Sequence, residues 1–220
     1  MSNIQRLFRQ LLTTMKKYKN PSPTDWSAIL KRPTFDTSHL ENTVSDVLTQ
    51  VKKRGDVALR EYTERFDGVK LNDFRVSSRE VEQAVKSVPD DLKKAIQLAY
   101  QNIHRFHEQQ KQESVVVETM PGISCWRKSV AIDKVGLYIP GGTAPLFSTI
   151  LMLGIPAKIA GCRELVLCTP PAKDGSVHPA ILYTAHLVGV TQIYKVGGSQ
   201  AIAARAVGTE TIPQVYKIFG

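Results

Sequence analysis

The stretch Lys134-Val-Gly-Leu-Tyr-Ile-Pro-Gly-Gly-Thr-Ala-Pro-Leu-Phe-Ser148 decides the predicted fold of this chain. Its first six residues suit a β-strand. Pro140, Gly141 and Gly142 cannot continue that strand, because proline removes a backbone donor and paired glycines favour a tight turn. Helical spacing of apolar residues predicts a helix over 148–160. A strand, a glycine turn and a helix in this order bring backbone N–H groups against a ligand in α/β proteins.

The same unit recurs further along the chain. Apolar runs and helical spacing predict three more strands, at 164–168, 192–196 and 215–219, and two more helices, at 179–187 and 199–207. Single helices between strands imply right-handed crossovers and a parallel sheet. A second turn, Gly197-Gly198, would then share with Gly141-Gly142 the sheet edge where such folds bind ligands. The fourth strand reaches Gly220 with no crossover after it, which suggests a truncated domain.

The residues before Lys134 are predicted to be mostly helical. Helices are expected at 3–18, 38–55, 56–67, 78–85 and 89–110, with one or two helical turns at 24–30 and a linker at 19–23. Ser38 with Glu41, and Ser77 or Ser78, are expected to cap helix starts. The residues 74–76 favour a short strand, and 115–119 with 123–130 favour a hairpin.

Composition excludes several classes of protein. The chain has 220 residues, of which 42% are hydrophobic and 22% charged, as in ordinary globular proteins. No apolar run is long enough to cross a bilayer, and the basic N-terminus favours a packing arm over a secretory signal or a mitochondrial presequence. The net charge of +9 invites a nucleic-acid function, but the basic clusters lack interleaved aromatic residues and favour solvated helix faces. Three cysteines without metal-type spacing suggest reduced thiols in the cytoplasm.

Tyr138 and Gln200 are the candidate binding residues beside the two glycine turns. The Tyr138 ring could stack on a flat ligand, and the Gln200 amide could reach a ribose or a ring. Each also has a plain explanation, as a tyrosine at a sheet edge and a polar residue at a helix start. No Gly-x-Gly-x-x-Gly fingerprint is present, so the residues alone leave nucleotide binding and mere tight connections about equally favoured.

Three other groups of residues have patterns that resemble functional sites. Ser199 lies in a sequence that resembles a nucleophile elbow, but no histidine follows it, so a hydrolase triad cannot be completed in that order. His104 and His107 have a metal-compatible spacing, but surface histidines are favoured because no third ligand is evident. Cys162 and Cys168 flank a strand and are most simply core residues.

At residues 135–149 the sequence resembles the histidinol dehydrogenase family. The resemblance continues through Leu151-Met-Leu153, Pro156-Ala157, Ile159-Ala-Gly-Cys162, Val166-Leu-Cys168, Val196-Gly-Gly-Ser-Gln-Ala-Ile-Ala203, Gly208-Thr-Glu210 and Lys217-Ile-Phe-Gly220. Weaker agreement upstream includes Arg54-Gly-Asp56, Tyr62, Phe66-Asp67, Phe106-His107 and Glu118-Thr-Met-Pro-Gly122. It covers about residues 25–220.

The resemblance implies an NAD- and zinc-dependent homodimer of the cytoplasm that oxidises L-histidinol to L-histidine, with no nucleic-acid or membrane partner. It implies a fold of the α/β class, with an incomplete Rossmann-like parallel sheet preceded by a helix-rich α+β subdomain and an N-terminal helical arm. The expected parts are an arm at 1–20, a first domain at 21–134 and a truncated NAD-binding domain at 135–220. Tyr138 and Gln200 match NAD-contacting positions of the family. Gly141, Gly142, Gly197 and Gly198 complete the expected cofactor edge.

The resemblance also implies what this chain lacks. The family's zinc ligands, its Glu–His acid/base pair and its substrate-contacting serine come from the later half of the family's chain, so no catalytic or metal residue is expected up to Gly220. We therefore expect the chain alone to have no dehydrogenase activity and weak or absent NAD⁺ binding. A non-catalytic nucleotide-binding or oligomerisation module is the alternative, and a hydrolase built on Ser199 is a third hypothesis.

Overall fold

The computed structural model describes residues 16–32, 37–142 and 144–220. The chain divides into two compact units, Met1–His39 and Leu40–Gly220. In the first unit a 3₁₀ turn, Pro23–Asp25, leads into the short helix α1, Trp26–Ile29, which confirms the predicted helical turns. The predicted helix at 3–18 lies outside the described residues except for 16–18, which are not helical. The boundary between residues 134 and 135 stays a prediction.

The second unit contains seven further α-helices and six strands among its described residues. The helices are α2 (Ser38–Arg54), α3 (Asp56–Tyr62), α4 (Ser78–Ser87), α5 (Asp90–Glu108), α6 (Phe147–Ile159), α7 (Pro179–Val188) and α8 (Gly198–Val207). The strands are β1 (Val117–Met120), β2 (Ile123–Cys125), β3 (Lys134–Tyr138), β4 (Glu164–Thr169), β5 (Gln192–Lys195) and β6 (Lys217–Phe219). No helix among the described residues has the length and hydrophobicity needed to cross a membrane.

The four strands β3 to β6 form a parallel sheet in the order β5-β4-β3-β6. Leu137 of β3 pairs with Leu167 on one side and with Phe219 on the other. The chain therefore moves outward from β3 to β5 and returns through α8 to the opposite side of β3. This reversal makes a topological switch point between β3 and β6, and it confirms the predicted α/β fold with a Rossmann-like sheet.

Helices cover both faces of the parallel sheet, so two apolar cores form. Leu137, Leu165 and Leu167 pack with α4 to α7 on one face. Val166 and Cys168 pack with α2, α3 and α8 on the other. Strands buried on both faces read as continuous apolar runs rather than alternating ones. This explains why the strand positions could be predicted from the sequence.

The predictions made from local sequence patterns in the first 130 residues were partly confirmed. Ser77 caps the start of α4, as predicted, and forms a capping box with Glu80 that was not predicted. The Ser38 side chain lies outside the described residues. The predicted strand at 74–76 is only an isolated antiparallel bridge between Arg75 and Tyr194. The second hairpin strand ends at Cys125 rather than at residue 130, because β1 pairs with it over only three positions.

Candidate functional site

The carboxyl ends of the parallel strands gather the two glycine turns on one edge of the sheet. A Cβ on Gly141 would lie 2.6 Å from Pro170 Cγ, and a Cβ on Gly197 would lie 2.6 Å from Pro170 Cβ. Both turns therefore pack against the same proline, which follows β4. We call Tyr138, Gly141, Gly142, Gly197, Gly198 and Gln200 the glycine rim. Only glycine permits these close approaches.

Tyr138 links the end of β3 to the start of α8. The side chain is half-buried, and the Gly198 N–H donates to its hydroxyl oxygen at 2.9 Å. The first N–H groups of a helix have no partner within the helix, so the hydroxyl satisfies one of them. Because the oxygen accepts in this bond, the hydroxyl proton can still be donated to a ligand.

The Gln200 side chain is buried at the first turn of α8 without a hydrogen-bond partner. It is 1% exposed, and neither Oε1 nor Nε2 is hydrogen-bonded to any described residue. A buried polar group left unsatisfied costs roughly 1–3 kcal/mol. Such an amide is therefore suited to a ligand that offers both a donor and an acceptor.

Gly198 shapes the surroundings of the Gln200 amide. Its φ of +61° lies in the left-handed region, and a Cβ there would lie 2.6 Å from Gln200 Oε1. Both observations require glycine at this position. Gly198 therefore donates its N–H to the Tyr138 hydroxyl and leaves space for the Gln200 amide where a Cβ would stand.

Arg205 is a site residue that sequence reasoning missed. It is fully buried, and its Cζ lies 5.7 Å from the centroid of the Tyr138 ring. Burial lowers the pKa of the Arg205 guanidinium, while Cys168 and Tyr138 oppose that shift. The available signal was one charged residue in an otherwise apolar run, Ala201–Val207.

Pro170 was also missed as part of the site. Its place between the two glycine turns depends on the pairing of β4 with both β3 and β5. No local pattern in the sequence predicts the contact of Pro170 with Gly141 and Gly197.

The other sequence candidates do not join the glycine rim. His104 Nδ1 lies 3.5 Å from Glu108 Oε2, and His107 Nδ1 lies 3.0 Å from Gln110 Oε1. The His178 ring accepts a hydrogen bond from the Ala180 N–H. None of these contacts involves Ser199, so these three rings do not activate a serine nucleophile.

The cysteines and acidic groups do not form a metal centre within the part of the chain that the structure describes. No cluster of three or more His, Cys, Asp or Glu side chains that could hold a metal lies there. Cys162 and Cys168 are buried core residues, as predicted, whereas Cys125 is exposed. Burial raises the pKa of the Cys168 thiol to about 11, so it stays protonated at neutral pH.

A separate cavity of about 840 Å³ is lined mainly by α6 and by residues 129–132. Its lining includes Met152, Pro156, Cys162 and Phe219, and none of the glycine rim residues. The lining also carries polar side chains, those of His107, Gln110, Lys111, Gln112, Ser114 and Ser129. The glycine rim is the candidate site because it lies at the carboxyl ends of the parallel strands and contains the buried Gln200 amide, which has no hydrogen-bond partner among the described residues.

Comparison with known proteins identifies the relatives of this chain. A family model described as histidinol dehydrogenase matches residues 30–220. The histidinol dehydrogenase of Bacteroides fragilis is 58% identical over 206 residues, which are 94% of this chain and 48% of that protein. The histidinol dehydrogenase of Photobacterium profundum is 48% identical over 204 residues, or 92% of this chain and 45% of that protein.

A solved structure agrees with these relatives. The crystal structure of histidinol dehydrogenase from Elizabethkingia anophelis superposes with a TM-score of 0.89 at 50% identity, and the match covers 92% of this chain and 47% of that one. The chain thus spans about half the length of the relatives that it matches.

Proposed function

Because this chain belongs to the histidinol dehydrogenase family, we propose that it supplies part of the NAD-binding site of an enzyme that oxidises L-histidinol to L-histidine. The observation that carries the proposal is the buried amide of Gln200, which has no partner among the described residues. It lies on the sheet edge where doubly wound folds hold nucleotides. The experiment that tests the proposal measures how the backbone amide resonances of the glycine rim change when NAD⁺ is added.

Each residue of the glycine rim has a defined task in this proposal. The Gln200 amide would donate to and accept from the cofactor, and Tyr138 would donate its hydroxyl proton. Gly141, Gly142, Gly197 and Gly198 would let the backbone approach the cofactor closely. NAD⁺ held here would accept the hydride that leaves the alcohol substrate.

The family's zinc ion has no matching set of ligands in the described part of this chain. We therefore assign zinc binding and acid/base catalysis to the half of the relatives that this chain does not span. Because it would supply only part of the NAD site, the chain alone would bind NAD⁺ weakly, and it would not turn over L-histidinol. We also propose that the complete enzyme is a cytoplasmic homodimer, with its domain boundary at residues 134 and 135.

The test follows backbone amide resonances of the isotope-labelled chain while millimolar NAD⁺ is added. We expect shifts confined to the glycine rim, and we expect Gln200→Ala to remove them. The matched control is Gln101→Ala, because Gln101 is exposed on α5 and should leave the shifts unchanged. Absence of any shift in the rim, or shifts that persist in Gln200→Ala, would overturn the proposed NAD site.

A separate assay addresses the proposed inactivity of the chain. L-Histidinol, NAD⁺ and zinc are supplied together, and formation of NADH is followed by absorbance. No NADH is expected. Turnover by this chain would contradict the assignment of catalysis to the part of the relatives that it does not span.

A further inference from the structure

The Arg205 side chain is buried in a way that calls for a compensating contact. It is 0% exposed, and its Nε donates to the Ala201 carbonyl oxygen at 3.1 Å. Neither Nη1 nor Nη2 has a hydrogen-bond partner among the described residues. A guanidinium taken out of water without partners is unfavourable, so another favourable contact is expected to hold it there.

The aromatic ring of Tyr138 offers that contact. The distance of 5.7 Å from Arg205 Cζ to the ring centroid lies within the range of cation–π attraction, which strengthens when the cation is removed from water. The neighbouring Cys168 thiol has a pKa raised by burial to about 11, so it offers no negative charge at neutral pH.

Gly136 provides the space that the guanidinium needs. A Cβ on this residue would lie 3.1 Å from Arg205 Cδ and 3.2 Å from Nη1. Strand β3 therefore presents bare backbone where the arginine crosses it, two residues before Tyr138. The arginine stem, fixed to α8 by the Ala201 bond, is guided toward the ring.

We propose that Arg205 is a positioning residue for Tyr138. Its guanidinium holds the ring so that the hydroxyl oxygen stays on the Gly198 N–H and the hydroxyl proton is directed to the glycine rim. The consequence for cofactor binding rests on the proposed function, but the effect on Tyr138 and Gly198 does not. An ordinary packing role would instead be filled equally well by an apolar side chain of the same length.

Hydrogen exchange of the Gly198 amide tests the proposal directly. Tyr138→Phe removes only the hydroxyl and should abolish the protection of this amide. Arg205→Met keeps the length of the side chain and removes its charge. It should speed Gly198 exchange roughly thirtyfold, the loss expected for one desolvated cation–π contact. Exchange of the amides in 202–207 should stay unchanged.

Arg205→Lys is the conservative variant in the same experiment. It retains a cation near the ring and should restore part of the Gly198 protection. Unchanged Gly198 exchange in Arg205→Met, or faster exchange along the whole of α8, would overturn the proposal, since the second result is what loss of packing produces.

A measurement on the unmodified chain covers the case in which Arg205→Met does not fold. A guanidinium over an aromatic face should have its Nε proton resonance shifted upfield by the ring, and Tyr138→Leu should return it to the ordinary position. An ordinary position in the unmodified chain would refute the contact.

In addition, NAD⁺ affinity should fall roughly fivefold in Arg205→Lys, because a lysine retains only part of the contact. If NAD⁺ does not bind at all, the proposed function fails while the exchange result still decides the role of Arg205.

Discussion

The Glu210 carboxylate accepts a hydrogen bond from the Asp56 backbone N–H at 2.8 Å, across 154 residues of sequence. In return, the Asp56 carboxylate accepts from the hydroxyl and the N–H of Thr211. Gly55 has a φ of +53°, and a Cβ there would overlap the Glu210 carboxylate. The start of α3 is therefore fastened to the segment that leads into β6.

Glu210→Ala should destabilise the fold by removing the hydrogen-bond acceptor of the Asp56 N–H. The Asp56 N–H is at the positive end of α3, where a carboxylate is favourable. Leaving this donor without its partner should lower the free energy of unfolding by roughly 1–3 kcal/mol. Urea denaturation followed by circular dichroism measures the change. Glu82→Ala is the control, because Glu82 is exposed on α4, and an equal loss in both variants would contradict the interpretation.

Glu80 should make part of the stability dependent on pH. Burial acts to raise the pKa of its carboxyl, but Lys195, at 2.5 Å, and the Ser77 N–H and hydroxyl outweigh burial and lower the pKa below the ordinary value. A carboxyl with a lowered pKa in the folded state stabilises above its unfolded pKa, and this contribution is lost as pH falls through the folded pKa. The stabilisation should therefore be complete at neutral pH.

The experiment compares the unmodified chain with Glu80→Gln by urea denaturation across the acidic range. The unmodified chain should lose its advantage over the variant progressively below the ordinary pKa of a glutamate, about 4.3. Glu82→Gln, an exposed neighbour on the same helix, should follow the unmodified chain. A difference between Glu80→Gln and the unmodified chain that stays constant with pH would refute the ionic contribution.

Asp67 should act in the opposite direction. Burial raises the pKa of its carboxyl, and Lys173 only partly opposes the shift. One carboxyl oxygen, Oδ2, is buried without a hydrogen-bond partner among the described residues. A raised folded pKa means that the ionised carboxyl weakens the fold at neutral pH and that protonation relieves the penalty as pH falls through this pKa.

Asp67→Asn should therefore stabilise the chain at neutral pH and lose that advantage in acid. The melting temperature at two pH values measures this. Asp73→Asn provides a comparison, since the Asp73 carboxylate accepts a hydrogen bond from the Arg75 N–H at 2.8 Å and its removal should not stabilise. A lower melting temperature of Asp67→Asn at neutral pH would contradict the sign of the effect.

The strands and the glycine rim could be predicted because their signals are local. Strands covered on both faces are apolar throughout, so Val135 to Tyr138 and Leu165 to Cys168 stand out in any window of sequence. The parallel arrangement follows from the single helices between strands. The pairs Gly141-Gly142 and Gly197-Gly198 mark turns, and Tyr138 and Gln200 lie close to them in the sequence.

Long-range partners could not be predicted from the sequence. Nothing local couples Asp56 to Glu210, or Arg205 to Gly136, because each pair meets only after the chain has crossed the sheet. The same applies to Pro170, which becomes a site residue only when β4 lies between β3 and β5. The strand predicted at 74–76 was wrong for a related reason. The length over which a segment pairs depends on its neighbour, and here Arg75 forms only a single bridge, with Tyr194.

Gly198→Ala tests whether the backbone at the start of α8 must be bare. The substitution introduces two costs, a left-handed φ of +61° for an alanine and a clash with Gln200 Oε1 at 2.6 Å. The first cost alone is roughly 1–2 kcal/mol. Gly122→Ala isolates it, since Gly122 also has a left-handed φ, of +82°, but no atom lies within 4 Å of its added Cβ.

Gly198→Ala should therefore lose more stability than Gly122→Ala, and the difference reports the crowding of the Gln200 amide. The double variant Gly198→Ala with Gln200→Ala should recover most of that difference, because the second substitution removes the atoms that the new Cβ meets. The coupling between the two residues comes from the denaturant midpoints of four proteins: the unmodified chain, Gly198→Ala, Gln200→Ala and the double variant. If the two substitutions are additive, the Gln200 side chain does not lie against Gly198 in solution, and the glycine would then be required only for its backbone conformation.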